Sequence, residues 1–168
     1  AETIDRLNGI APLEYASSWD NVGLLIDPSE EKKVKRVLLT IDTTPSVIEE
    51  AIDKKIDLIV SYHPILFHPV QSLSIHSPQQ AITVELIRHK IALYSPHTAL
   101  DHITGGVNDW LADRLGVGEV SFIHPLNEGV AGEGRRIVLD RSVSLNALCE
   151  QIKKSFKIPY LRVAKGSN

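Results

Sequence analysis

The feature that most constrains the fold of this chain is the regular alternation of short apolar runs with amphipathic helical patterns. Four apolar runs have the length of strands, and they lie at residues 22–27, 36–42, 57–63 and 91–95. Helical patterns begin near Ile4, Pro45 and Pro78. Strands that alternate with helices build a sheet of mostly parallel strands covered by helices. The sequence therefore predicts an α/β fold around a mixed, mostly parallel sheet.

Two of the predicted helices carry start signals. Thr44 precedes Pro45, and proline suits the first helical position because its missing N–H would have no partner there. Ser77, Pro78 and Gln80 combine a cap, a proline at the first position and a capping-box residue. These signals predict where both helices begin.

The second half of the chain continues the pattern less regularly. The segment VNDWLADRLG after Gly106 predicts a further helix, and the segment NEGVAGEG at residues 127–134 is typical of a domain boundary or a hairpin turn. After it come a strand pattern (RRIVLD), a capped helix from Ser142 and a second strand pattern (YLRVAKG). We therefore expect an N-terminal α/β lobe over residues 1–126 and the beginning of a second lobe over residues 127–168.

Charge and composition exclude several classes of protein. The 168 residues include 18 Lys and Arg against 21 Asp and Glu, a formal net charge of -3, which does not favour bulk electrostatic binding to nucleic acid or anionic membranes. The one cysteine cannot form an internal disulfide, and no apolar run approaches the roughly 20 residues that cross a bilayer. We expect a soluble protein of the cytoplasm, and of the nucleus as well if its source is eukaryotic.

Polar and reactive residues follow three of the predicted strands. Asp42 follows the second strand, Tyr62 and His63 end the third, and Ser95 and His97 lie at the end of the fourth. Ligands of open α/β sheets bind at the carboxyl ends of the strands. This edge of the sheet is therefore the predicted functional site.

The spacing of His97 and Asp101 indicates a metal site. They lie four residues apart, so on a helical turn both side chains share one face. With His63 from the neighbouring strand they would supply imidazole nitrogens and a carboxylate oxygen, a ligand set suited to zinc, iron or manganese. A capped turn explains the same spacing without a metal. The other histidines show no such convergence, and we expect them at the surface or at edges: His68, His76, His89, His102 and His124.

The segment SSWDNVG before the first strand has an adequate structural interpretation, which we favour over catalysis. In it Trp19 packs, Asp20 and Asn21 bond to the local backbone, and Gly23 permits close approach. Cys149 lies in an amphipathic helical pattern, where a thiol is usually a small core residue. The sequence contains no G-x-x-x-x-G-K, no G-x-G-x-x-G after a strand and no G-x-S-x-G. Nucleotide binding through those motifs is therefore not expected.

At these residues the sequence resembles the GTP cyclohydrolase 1 type 2 family, also known as the NGG-one-interacting-factor-three-like proteins. The matching segments, in the family's order, are SWDNVGLLID, RVLLTID, DLIVSYHPILF, LYSPHTALD and GGVNDWLADRLG. The stretch RRIVLDRSVSLNALCEQIKKSFKIPYLRVAKG is similar to the start of the family's second half. The short link at residues 127–134 predicts a compact member without the domain that some bacterial members insert there.

The resemblance implies two related α/β lobes, a toroidal homohexamer and a two-metal site that faces the inner cavity. Residue by residue, the second histidine of the family's His-His-Pro motif falls on His63, its metal-binding aspartate on Asp101 and the neighbouring histidine on His97. Tyr62 replaces the first histidine of the motif, and a phenol is a poorer ligand because it must usually lose a proton with a pKa of about 10. The family's closing histidine and glutamate have no counterpart before Asn168, so half of the site is expected here.

Two functional hypotheses follow from the residues and the resemblance. The first is a metal-dependent hydrolase that acts on a nucleotide-like or phosphate-containing substrate; the family name implies GTP. A divalent ion (zinc, iron or manganese) held by His63 and Asp101 would lower the pKa of a bound water, and the complete protein would hold two ions. His97 is the candidate catalytic residue, which would orient the water or relay a proton.

The alternative is a non-enzymatic, ring-forming interaction protein with a transcription-related protein partner, as the family's second name implies. Under either hypothesis we expect a homo-oligomer, and no membrane as a partner. Nucleic acid is not expected either, because solvated faces explain the basic residues around Lys33 and Lys153.

Overall fold

The computed structural model describes residues 2–28 and 33–166. The chain forms two compact units, Ala1–Ile103 and Thr104–Asn168. None of the helices in the described residues is long and apolar enough to span a membrane.

The first unit is built on a four-stranded sheet, which confirms the predicted mixed, mostly parallel arrangement. Its strands are β1 (Gly23–Ile26), β2 (Val37–Thr40), β3 (Leu58–Ser61) and β4 (Ala92–Ser95), in the spatial order β1-β4-β3-β2. β2, β3 and β4 are parallel to their neighbours, whereas β1 pairs antiparallel with β4. All four strands lie inside the predicted apolar runs.

Four helices accompany this sheet: α1 (Glu2–Ile10), α2 (Pro45–Asp53), α3 (Pro78–Arg88) and α4 (His97–His102). Thr44 caps α2 as predicted, because its hydroxyl accepts from the backbone N of Val47. Ser77 precedes α3, but its side chain makes no cap. The predicted capping box is therefore wrong, since the Oε1 of Gln80 accepts from the backbone N of Ser74 at 3.0 Å instead.

The core of the first unit lies between the sheet and the helices α2 and α3. Its buried members come from the strands, from both helices and from the turns between them: Ile26, Ile48, Ala51, Ile56, Ile59, Ile82, Leu86, Ile91 and Leu93. The central strands β3 and β4 are buried along almost their whole length, as near-continuous apolar runs in a parallel sheet require. This packing fixes the ends of the strands, where the polar residues lie.

The second unit contains α5 (Val107–Ala112), β5 (Gly118–Leu126), β6 (Ala131–Leu139) and α6 (Leu145–Phe156). β5 and β6 form an antiparallel hairpin with a short turn at Asn127–Gly129. Of the two interpretations of the glycine-rich segment, the hairpin turn is therefore confirmed, and the predicted lobe boundary after residue 126 falls at this turn.

Two details of the second unit were not predicted from the sequence. β5 was not predicted. Its run of strand-forming residues contains Pro125, which has no backbone N–H to donate to a neighbouring strand. The strand predicted for YLRVAKG is wrong, because the chain from Tyr160 to Gly166 forms no regular structure. A strand-like composition forms a strand only where a neighbouring strand pairs with it.

Candidate functional site

The predicted polar residues lie at one edge of the four-stranded sheet. Because β2, β3 and β4 are parallel, the residues that follow them meet at their common carboxyl end. β1 runs in the opposite direction, and Gly23 at its start pairs with Ser95 at the end of β4. The segment before β1 therefore reaches the same edge and brings Asp20 into the site.

Two buried serines fix the backbone that follows the central strands. Ser61 ends β3, and its hydroxyl donates to the carbonyl of His63 at 2.9 Å. Ser95 ends β4, and its hydroxyl donates to the carbonyl of Tyr62 at 2.9 Å. Both serines are fully buried, so the peptides of Tyr62 and His63 are held by bonds that water does not weaken.

His63 is paired with Asp42 across the ends of β3 and β2. The backbone N of His63 donates to the carbonyl of Ile41 at 3.0 Å, so the β2–β3 pairing continues beyond the strands and places the two side chains together. The Nδ1 of His63 lies 2.7 Å from Oδ1 of Asp42. A carboxylate only accepts hydrogen bonds, so this contact leaves Nε2 as the free nitrogen of the imidazole.

His97 makes a second, more buried contact of the same kind. Its Nδ1 lies 2.8 and 2.9 Å from the two carboxylate oxygens of Asp20. The side chain of Asp20 is 0% exposed and also accepts from the backbone N of Thr98, the hydroxyl of Thr98 and the backbone N of Asn21. Burial alone would raise the pKa of Asp20, but the hydrogen bonds from Thr98 and His97 outweigh it and hold the pKa below its usual value.

Tyr62 is bonded to the predicted metal ligand Asp101. Its hydroxyl donates to Oδ1 of Asp101 at 2.6 Å. Burial and then the bond to Asp101 raise the pKa of Tyr62 far above its ordinary value. The phenol therefore keeps its proton at neutral pH and acts as a donor to the carboxylate, not as an anionic ligand.

His63 and His97 form a cluster of five rings with Tyr62, Trp19 and Phe67. The ring centroid of His97 lies 5.6 Å from those of both Tyr62 and His63, 6.3 Å from that of Trp19 and 6.5 Å from that of Phe67. Trp19 is 63% exposed, so it forms an open aromatic face at the edge of this ring cluster. Phe67 also lines a cavity of about 480 Å³ whose polar lining includes Gln71, Gln79 and Thr83.

The structure brings His63, His97 and Asp101 to one place. The rings of His63 and His97 are in contact, and Asp101 joins them through the hydroxyl of Tyr62. The helical turn predicted for His97 and Asp101 is confirmed as part of α4. Within residues 2–28 and 33–166, no group of three or more His, Cys, Asp or Glu side chains is arranged to hold a metal ion.

The structure corrects the structural interpretation of residues 17–23. Trp19 is largely exposed and does not pack into the core. Asp20 binds α4, far away in sequence, in addition to its neighbour Asn21, and the side-chain amide of Asn21 donates to the distant carbonyl of Leu66. The two strands that bring these segments together are not adjacent in sequence, so no local pattern could have indicated the contact.

One of the five remaining histidines is also corrected. His102 is buried, and its Nδ1 lies 2.6 Å from the carbonyl of Tyr15, because the short helical turn at Leu13–Tyr15 covers this side of α4. The other four are exposed, as predicted: His68, His76, His89 and His124.

Comparison with known proteins assigns the chain to a family. A family model described as Duf34/NIF3 (NGG1p interacting factor 3) matches residues 1–168. The chain is 40% identical to the NGG1-interacting factor 3 of Saccharomyces cerevisiae, over 91% of this chain and 59% of that protein. It is 34% identical to a GTP cyclohydrolase 1 type 2 homolog of Clostridium acetobutylicum, over 93% of this chain and 59% of that protein.

A solved structure supports the same grouping. The crystal structure of a hypothetical protein of Staphylococcus aureus matches with a TM-score of 0.84 and 29% identity, over 96% of this chain and 65% of that one. The chain thus spans less than two thirds of the length of each of these relatives.

Proposed function

The chain belongs to the Duf34/NIF3 family, and from this membership we propose that it is a metal-dependent hydrolase acting on a nucleotide-like or phosphate-containing substrate. The observation that carries the proposal is the convergence of two carboxylate-bound histidines, His63 and His97, with Asp101 at the carboxyl ends of the strands. A purely structural sheet edge has no need of such a combination.

His63 and Asp101 are the residues that would hold a divalent ion. Metal-binding histidines commonly donate a hydrogen bond from the N–H of their second ring nitrogen to a carboxylate, and Asp42 accepts from Nδ1 of His63 in this way. Metal-binding carboxylates are themselves hydrogen-bonded, as Asp101 is to Tyr62. This mixed nitrogen and oxygen donor set suits zinc, iron or manganese. Because Tyr62 keeps its proton, these residues fit one ion, and a second would need ligands from outside them.

The remaining side chains have separate roles in the proposed reaction. A bound divalent ion supplies a Lewis acid that makes water nucleophilic at neutral pH. His97 takes a proton at Nε2, since Asp20 already accepts the hydrogen of its Nδ1. Tyr62 keeps the carboxylate of Asp101 in one orientation. Trp19 and Phe67 offer aromatic faces on which a planar ring of the substrate would stack.

Elemental analysis tests the metal site directly. Purified protein is compared by inductively coupled plasma mass spectrometry with a His63→Ala, Asp101→Ala double variant. The matched control is a His89→Ala, Asp53→Ala double variant, which removes the same two residue types from exposed positions on α2 and at the end of α3. We expect near-stoichiometric zinc, iron or manganese in the wild type and the control, and its loss in the first variant.

A metal-free wild type, or metal retained by the His63→Ala, Asp101→Ala variant, would overturn the proposal. If metal is bound as expected, the loaded protein is assayed for hydrolysis of nucleotides and phosphate esters. Hydrolysis of such a substrate that depends on His63 and Asp101 is the expected result, and metal binding without hydrolysis would also contradict the enzymatic function.

A specific observation favours a second candidate function, that of a ring-forming homo-oligomeric interaction protein with a transcription-related partner. β2 is an edge strand of the sheet, and it carries Val37 and Leu39 on an exposed side that continues to Ile41. Leu39 is 77% exposed and Ile41 66%. Exposed apolar edge strands tend to pair with other chains. This surface supports self-association or partner binding whether or not the site is catalytic.

A further inference from the structure

We propose that Asp20 is a positioning residue, which holds the hydrogen of His97 on Nδ1 and so leaves Nε2 as the basic nitrogen of the site. The catalytic consequence of this arrangement rests on the proposed hydrolase function. The arrangement itself concerns which ring nitrogen of His97 carries the hydrogen, and this can be measured without metal or substrate.

The hydrogen bonds of Asp20 hold its carboxylate in one orientation. Both oxygens lie within 2.9 Å of the Nδ1 of His97. Oδ2 also accepts from the backbone N and the hydroxyl of Thr98, and Oδ1 accepts from the backbone N of Asn21. All of these neighbours are donors, so the carboxylate is ionised and acts only as an acceptor. The Nδ1 of His97 must therefore carry the hydrogen that it shares with Asp20.

The burial of Asp20 makes this contact stronger than its counterpart in the site. The side chain of Asp20 is fully buried and that of His97 is 17% exposed, so water does not compete for the bond. Asp42 and His63 form a similar contact, but both of those side chains are largely open to solvent. Asp42 therefore provides a matched comparison: the same chemistry without burial.

The backbone of His97 shows that its position is imposed by its surroundings. Its φ angle is +31°, in a region that residues other than glycine rarely adopt. Such backbone persists only where neighbouring contacts determine it. Asp20 supplies such contacts, because it binds both the ring of His97 and the backbone N of the next residue, Thr98. The unusual backbone angle and the bond to the buried carboxylate thus both concern the position of His97.

The tautomer of His97 is measured by long-range ¹H–¹⁵N NMR on histidine-labelled protein at about pH 8, where an ordinary imidazole is neutral. The His97 signals are assigned by their loss in a His97→Gln variant. We expect the wild type to show a protonated Nδ1 and an unprotonated Nε2. In Asp20→Asn the amide can donate to Nδ1 and move the hydrogen to Nε2, and in Asp20→Ala no acceptor holds the hydrogen on Nδ1. In both variants we expect the Nε2–H form to replace the Nδ1–H form as the major tautomer.

Asp42→Asn is the control, and it should leave the His97 signals unchanged. A wild-type spectrum with the hydrogen on Nε2 would overturn the inference, and so would Asp20 variants that fold and keep the Nδ1–H form. The wild-type spectrum decides the question even if both Asp20 variants fail to fold. If the tautomer is as expected but no hydrolysis is found, only the proposed function is refuted. If hydrolysis is found but the hydrogen of His97 lies on Nε2, only the role of Asp20 is refuted.

Discussion

Replacing Tyr62 by phenylalanine is expected to weaken divalent-metal binding about 10- to 100-fold, the usual cost of losing a hydrogen bond that orients a metal ligand. The phenol donates to Oδ1 of Asp101 at 2.6 Å, and its raised pKa keeps it a donor throughout the neutral range. Phenylalanine keeps the ring and its contacts with His63 and His97 but removes the hydroxyl. The carboxylate of Asp101 then loses the bond that fixes its orientation.

The same substitution has a calculable effect on the free energy of unfolding. A hydrogen bond to a charged group contributes about 1.5 to 3 kcal/mol, and the low end applies because Tyr62 and Asp101 are both partly exposed. We therefore expect a loss of about 1.5 kcal/mol in urea denaturation. The protein stays folded, so a change in metal binding can be attributed to the site.

Tyr94→Phe is the matched control for this prediction. The hydroxyl of Tyr94 donates to Oδ1 of Asn8 at 2.8 Å, so the variant also loses one phenolic hydrogen bond in the same unit. It should cost about 1 kcal/mol of stability without weakening metal binding. Affinity is measured by competition with a chromogenic chelator. Equal or tighter metal binding by Tyr62→Phe would refute the reasoning, because it would mean that the phenol occupies an oxygen that the metal itself would use.

Two further substitutions test the second unit and the exposed sheet edge. Asp109→Ala should cost about 3 kcal/mol of stability, because Arg135 is 4% exposed at its side chain and would lose its carboxylate partner. Burial raises the pKa of Asp109, but the hydrogen bonds from Arg135 and from the backbone N of Gly105, together with the charge of Arg135, outweigh it and hold the pKa below its ordinary value. The stabilisation from the pair is therefore present above the ordinary pKa of an aspartate, and urea titrations should show the gap in unfolding free energy between wild type and variant closing as the pH falls through the lowered folded-state pKa. Leu39→Lys should abolish any self-association seen by light scattering, while Ile87→Lys on α3 should not, and equal effects of the two would argue against β2 as the interface.

Much of the first unit could be predicted from the sequence because its signals are local. The apolar runs at β3 and β4 are nearly continuous because both faces of these strands are buried, and proline marks the first turn of α2 and of α3. The strand predicted over residues 160–166 from its β-branched and aromatic residues is absent, because no neighbouring strand in the described part of the chain pairs with this segment. Local composition indicates what a segment can form, but pairing decides whether it forms.

The same difference between local signals and contacts across the sheet explains which site residues could be predicted. His63, His97 and Asp101 could be found because they follow parallel strands, whose carboxyl ends meet whatever the order of the strands. Asp20 could not, because its place depends on β1 being antiparallel to β4, which the sequence does not reveal. The reversed strand brings a buried carboxylate from before β1 against the ring of His97, 77 residues away. The histidine that we propose to be catalytic therefore contacts a carboxylate whose place is set by the one strand of the four-stranded sheet that breaks the parallel pattern.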